Sequence, residues 1–348
     1  MVSEKSLAPG TVIKGVKHSY RVVGVLRSDG QGFTYKTVVS VCRSGSVVEV
    51  PVVVREQMMV RCSSRGADGM TVITPDDIAP TVNSCLEAFI RACRERINLS
   101  RGCPWIINVI ETFHANNTYY YVVEYLDGDT LEEYVRDMGG RLTFEQTRKV
   151  LSPIFDAVIA LHNHRAVHAD IHPRHVRFVK REREREKIPV LFSLYATMHF
   201  SDRGVMRWDL PPMTGEEGFA PPEQYNAIDH FCPQIDIYAL ASMVVFCLSG
   251  NILPDSRKLT EEMVRETLPP TIPETIVSAL LNALHPDQSV RTSTVPKFRE
   301  ELGAFQRSAL SQARTLIDEM SQDKKTPRWL KYLRRFCAKS RIFRKFVN

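Results

Sequence analysis

Short runs rich in β-branched and aromatic residues dominate the first third of the chain. Residues 20–26 and 33–41 are two such runs on either side of a turn at 27–32. A Val-rich run at 46–55 follows, so three β-strands are predicted. Residues 57–82 show no period and hold Gly66, Gly69 and Pro75, which predicts a long surface insertion. The spacing then becomes helical over 83–97, with Leu86, Phe89, Ile90 and Cys93 on one face and Asn83 or Ser84 as N-cap. Runs at 106–113 and 119–125 read as a hairpin turning at Asn116-Asn117. From residue 144 the chain is mostly helical in pattern. Leu151, Ile154, Phe155, Val158 and Leu161 share a face over 144–162. Residues 236–249 are apolar almost all round, which predicts a buried central helix stopped by Gly250. Helices are also predicted at 273–284 and 295–305, and the Arg/Glu alternation at 181–187 predicts a solvated hairpin tip. Strands followed by helices imply an α+β chain of two lobes, and no internal repeat is present.

Composition narrows this picture. Hydrophobic residues make up 43% and charged residues 25%, as in ordinary soluble proteins. No apolar run approaches the roughly 18 residues of a membrane span, and no signal peptide opens the chain. The eight cysteines lack C-x-x-C spacing, which points to reduced thiols in a cytoplasmic protein. The net charge of +6 is unevenly held: residues 324–348 carry ten basic residues and no acid, leaving the body at −4. A nucleic-acid role for the body is therefore excluded from the expectations. The tail interleaves basic and aromatic residues in 328–336 and again in 342–346. That suits an anionic membrane surface, at the inner face, or an acidic partner. The alternative is that its aromatics pack on the helical lobe.

The chemistry is concentrated in Val167-His168-Ala169-Asp170-Ile171-His172-Pro173-Arg174-His175-Val176. This stretch resembles the catalytic loop of protein kinases, H-R-D-x-x-x-x-N, in which Asp accepts the substrate hydroxyl's proton and Asn holds Mg²⁺. Asp170 stands at the base position, while His175 replaces the Asn and Ala169 the Arg. Other landmarks follow in the family's order over about residues 10–306. Val122-Val123-Glu124-Tyr125-Leu126 resembles the hinge, and Ala220-Pro221-Pro222-Glu223 resembles the A-P-E element. Asp236 matches the Asp that ties down the catalytic loop, and Arg291 matches the Arg that pairs with the A-P-E glutamate. Gly32-Phe33-Thr34-Tyr35-Lys36 and the insertion after Glu56 look like a bacterial Ser/Thr kinase-like group. The resemblance implies a two-lobed fold: a small β-rich N-lobe and hinge at 1–126, a larger helical C-lobe at 127–306, and a basic extension at 307–348.

The phosphate-handling positions depart from the family. The Gly-rich loop G-x-G-x-x-G reads Arg27, Asp29 and Gly32, with Gly30 beside the second position. Arg55 stands for the Lys of V-A-I-K, longer and planar where Lys is compact. Its acidic partner aligns with Ala92, or with Glu95 in a shifted register. The D-F-G motif aligns with Ser193-Leu194-Tyr195, so its Mg²⁺-binding Asp is a serine. Losing one such electrostatic contact costs on the order of 10²–10³ in rate. The expectation is therefore a pseudokinase acting as a regulatory or scaffolding module for a protein partner. Two alternatives stand beside it: a divergent Ser/Thr kinase using Asp170 as base, and a nucleotide sensor without turnover. Any nucleotide pocket would be formed by Gly32, Arg55, Val123, Glu124 and Leu126, taking ATP without the usual Mg²⁺ ligands. No cofactor is expected. His168, His172 and His175 beside Asp170 invite a metal reading, since imidazole binds zinc. The simpler reading, preferred on sequence, makes His168 structural and lets the other two fill vacated space, with no metal ligand assigned.

Overall fold

The β-branched and aromatic runs pair into one antiparallel sheet. Its members are β1 (Val12–Lys14), β2 (Ser19–Asp29), β3 (Gly32–Arg43) and β4 (Ser46–Gln57). A small hairpin, β5 (Ser64–Arg65) and β6 (Val72–Ile73), and a long helix, α1 (Ala79–Gly102), come next. The strands β7 (Val109–Ala115) and β8 (Thr118–Glu124) complete the sheet, in the order β1-β2-β3-β4-β8-β7. The computed structural model describes residues 5–30, 32–43, 45–180, 186–194, 197–200, 215–225 and 232–303.

Three expectations change here. Pairing of β2 with β3 continues to Asp29↔Gly32, so the predicted 27–32 turn shrinks to its tip. Helix α1 starts at Ala79 rather than 83, with a Pro in its first turn and no side-chain cap, so Asn83 and Ser84 lie inside it. Pro presets the first-turn φ and needs no N–H partner there. The 57–82 stretch is no mere surface insertion. Arg65 of β5 donates from Nη1 to Glu56 Oε1 (2.7 Å) and from Nη2 to Oε2, and Glu56 also accepts from the Tyr35 and Tyr120 hydroxyls (2.8 and 2.9 Å). A buried carboxylate needs charge and hydrogen bonds to offset lost hydration, and Arg65 of the insertion supplies the charge. The β7–β8 turn is as predicted, with Asn116 and Asn117 at φ 53° and 55°, the type I′ pattern.

The helical lobe comprises α2 (Leu131–Asp137), α3 (Phe144–Asn163), β9 (Ala166–Val167), β10 (Val176–Val179) and β11 (Ile188–Leu191). Then follow β12 (Met198–His199), α4 (Gln234–Ser249), α5 (Glu261–Thr267), α6 (Glu274–Ala283) and α7 (Val295–Glu301). Capping boxes start α2 (Thr130 with Glu133) and α3 (Thr143 with Gln146). Every residue of α4 from Ile235 to Leu248 is buried, and Gly250 ends it at φ 78°. A Cβ there would lie 1.9 Å from the Gly140 carbonyl oxygen, so glycine is required twice over.

Two cores result. Val22, Phe33, Val52, Val54 and Val122 belong to a small one under the sheet, while Tyr121, Val123 and Leu126 join the large one built on α3 and α4. Because side chains alternate faces along a strand, β8 thus divides its residues between the lobes. At the tip of the β10–β11 hairpin, residues 181–185 lie outside the described residues. Glu186 and Lys187 beside it make exposed ion pairs with Lys149 and Asp129. Among the described residues no helix is long and apolar enough to cross a membrane. The extension at 307–348, with the 324–348 basic segment, lies outside the described residues.

Candidate active-site loop

The loop between β9 and β10 is held from beneath. Asp236, fully buried on α4, accepts from the His168 N–H (2.8 Å, Oδ2) and the Ala169 N–H (2.8 Å, Oδ1), and its Oδ2 also meets His162 Nε2 at 2.9 Å. Ala169 sits at φ 61°, a left-handed conformation uncommon outside glycine. The two bonds to Asp236, and one from Gln224 Nε2 to the Ala169 carbonyl (2.9 Å), hold that bend. Glu223 of the Ala220–Glu223 element receives both Nη atoms of Arg291 at 2.7 and 3.1 Å. Asp236 and Arg291 therefore act in the places the resemblance gave them.

Above this base four polar side chains meet. His168 is fully buried; its Nε2 faces the Phe192 carbonyl at 3.0 Å and its Nδ1 accepts from the Asp170 N–H at 3.2 Å. Desolvation lowers the His168 pKa against the pull of Asp236 and Asp170. His175 Nδ1 lies 2.9 Å from the Asp170 carbonyl oxygen and 3.2 Å from its Oδ2. His172 Nε2 lies 3.7 Å from Asp170 Oδ1, and the two imidazole rings stand 3.7 Å apart. Burial would raise the Asp170 pKa, but the hydrogen bond and charge of His175, with His172 and His168 behind it, hold it below the usual carboxylate range. Burial, reinforced by His175, pushes His172 down to about 3, so its ring is neutral.

The upper wall is equally occupied. Val53 packs toward the large core while Val52 and Val54 join the small one, so Arg55, two residues on from Val53, shares its face. Arg55 is buried and donates from Nη1 to Thr34 Oγ1 (3.1 Å), its cross-strand partner. Sequence reasoning missed Thr34. The signal was present, since Thr34 falls where G-x-G-x-x-G-x-V ends in Val. Gly32 has φ 147°, and a Cβ on it would lie 2.0 Å from the Glu56 carbonyl oxygen. Val123 is buried opposite Val53. Glu124 is pinned to Asn108, its N–H donating to the Asn108 carbonyl (3.1 Å) and its Oε1 accepting from the Asn108 N–H (2.8 Å). The Leu126 carbonyl accepts from Arg177 Nη1 at 3.4 Å, and Lys36 Nζ stands 4.6 Å over the Tyr125 ring. The side chains of Asp29, Ala92 and Glu95, and all of Tyr195, lie outside the described residues.

Mg²⁺ takes near-octahedral oxygen ligands, usually one or two carboxylates with phosphate oxygens. The two positions that would supply it here are Ser193, at φ 65°, and His175, whose Nδ1 is turned onto Asp170. An imidazole and a hydroxyl do not make a Mg²⁺ site, and no step is routed through one.

Comparison with known proteins agrees with the geometry. The protein kinase domain family matches residues 87–330. A calcium/calmodulin-dependent protein kinase of Metarhizium anisopliae is 23% identical over 163 residues, 47% of this chain and 41% of the relative. Serine/threonine-protein kinase D of Synechocystis sp. is 27% identical over 143 residues, 40% of this chain and 26% of the relative. The solved structure described as "PpkA-294 apo form" shares the fold, with a TM-score of 0.62 and 20% identity, over 86% of this chain and 99% of that one. The chain spans less than half the length of these curated relatives.

Proposed function

The chain belongs to the protein kinase family, and we propose that it is a member without phosphotransfer, acting as a regulatory or scaffolding module for a protein partner. One observation carries this reading: Ser193 and His175 occupy both positions where Mg²⁺ would be held. Phosphoryl transfer rests on positioning and on cations that neutralise the γ-phosphate, so their loss removes the main source of rate. Two further contacts support it. Asp170 faces two imidazoles that lower its basicity, and Arg55 is engaged by Thr34 inside the cleft. A cytoplasmic site of action belongs to the same proposal and rests on the irregular cysteine spacing.

The test is incorporation of radiolabelled phosphate from Mg·ATP into the purified full chain, run beside Asp170→Ala. Equal, background-level signals are expected. Incorporation abolished by Asp170→Ala would establish the competing reading, a divergent Ser/Thr kinase, which the retained and ionised Asp170 carboxylate favours. Titration with ATP, with and without Mg²⁺, checks the third reading: metal-independent binding without turnover would make the chain a nucleotide sensor.

A further inference from the structure

Histidine at 175, where the kinase loop has Asn, together with His172 three residues before it, leaves a cluster that space filling does not explain. One donor atom each from Asp170, His172 and His175 falls within 4.8 Å of the others. In a tetrahedral zinc site, bonds of 2.0–2.2 Å place donors about 3.3–3.6 Å apart. Contacts of that order reach the two oxygens of one carboxylate, His175 Nδ1–Asp170 Oδ2 at 3.2 Å and His172 Nε2–Asp170 Oδ1 at 3.7 Å, so a cation would be held by both oxygens of Asp170 or after a small turn of its side chain. We infer that Asp170, His172 and His175 form a three-ligand site for a divalent cation of the zinc class.

A second observation points to a ligand. His172 is 5% exposed, and its Nδ1 is buried with no hydrogen-bond partner among the described residues. Its Nε2, at 3.7 Å from Asp170, is also beyond hydrogen-bond reach. The buried Nδ1 loses its hydration without return, while Nε2, which makes no hydrogen bond to Asp170, stands free to take a cation. Nitrogen donors select zinc over Mg²⁺ or Ca²⁺, which prefer oxygen. The site shares only position 175 with the family's Mg²⁺ ligands.

Binding has a definite requirement. His175 Nδ1 faces a carbonyl oxygen, which can only accept, so Nδ1 carries the proton in the metal-free chain. Coordination at Nδ1 displaces that proton, to Nε2 of a neutral ring or to solvent from a charged one, and breaks the bond to the Asp170 carbonyl. The Asp170 side chain is the most exposed of the three, at 16%, so the cation enters there and a water completes its shell. Three ligands, with no acceptor for His172 Nδ1, make a weaker site than a structural zinc centre.

The experiment uses the chelator-treated full chain, without nucleotide, so its result is independent of phosphotransfer. Zinc chloride is titrated by calorimetry and thermal unfolding, and Co²⁺ serves as a spectroscopic probe of geometry. One zinc per chain, a raised melting temperature and a tetrahedral Co²⁺ spectrum are expected. His172→Gln and His175→Asn, each checked for folding by its metal-free melting curve, should weaken zinc binding by more than about tenfold. The exposed thiols Cys42 and Cys62 are the control: Cys42→Ser with Cys62→Ser should bind as the parent does. No uptake, or uptake unchanged in both histidine variants, overturns the assignment, as does uptake lost only with the cysteines.

Discussion

His175 directs one ring nitrogen at two oxygens of a single residue, lying 2.9 Å from the Asp170 carbonyl and 3.2 Å from its carboxylate. That contact ties together the residue at the base position and the residue at a metal position. It predicts the outcome of a reversion. His175→Asn with Ser193→Asp replaces nitrogen and hydroxyl by two hard oxygen ligands, and Asp tolerates the positive φ of residue 193 better than most side chains. ATP affinity measured by calorimetry should then become Mg²⁺-dependent, by about tenfold or more. Affinity that ignores Mg²⁺ in the double variant would mean the cleft is closed to phosphates for another reason.

The Arg291–Glu223 pair is buried and forked, and Arg291 also donates to the carbonyls of His285, Gln234 and Pro286. Arg291→Ala strands a buried carboxylate and should cost about 3–5 kcal/mol in denaturant unfolding. Arg291→Lys should recover only part of this, because a single ammonium cannot reproduce the fork. Full recovery with Lys would show that charge alone matters there.

Alkaline pH should loosen the small lobe. Burial, followed by the Glu56 charge, raises the Tyr35 and Tyr120 pKa values far above that of free tyrosine. The unfolded chain therefore releases these protons first. Stability is fully present below about pH 10 and falls as pH rises beyond it. Unfolding midpoints measured on either side of that pH should show the decline, and Tyr35→Phe with Tyr120→Phe should reduce its slope. An unaltered slope would place the titrating groups elsewhere, with the buried Tyr20 and Tyr238 next in line.

Gly32 offers a fourth check. Its φ of 147° and the 2.0 Å approach of the Glu56 carbonyl leave no room for a methyl group. Gly32→Ala should destabilise by at least about 1–3 kcal/mol, with faster hydrogen exchange in β2 and β3. Gly30, where a Cβ meets nothing within 4 Å, should accept Ala without such an effect.

The order of strands and helices, the buried α4 and the Asn-Asn turn were legible in the residue pattern, and the pairing roles of Asp236 and Arg291 through the kinase resemblance. Each follows from local periodicity, from backbone demands at one position, or from a motif short enough to read in line. The boundaries of α1 were not, because Pro80 rather than a side-chain cap starts it. Nor was the burial of Arg65, whose partner Glu56 is recognisable only once Tyr35 and Tyr120 arrive from two other strands. The same holds at the loop. A linear string of histidines says which atoms are available, but hydrogen-bond and coordination energies depend on distances of a few ångströms. Those were set by Asp236 and Gln224, residues about 55–70 positions away along the chain, when they clamped the turn at Ala169.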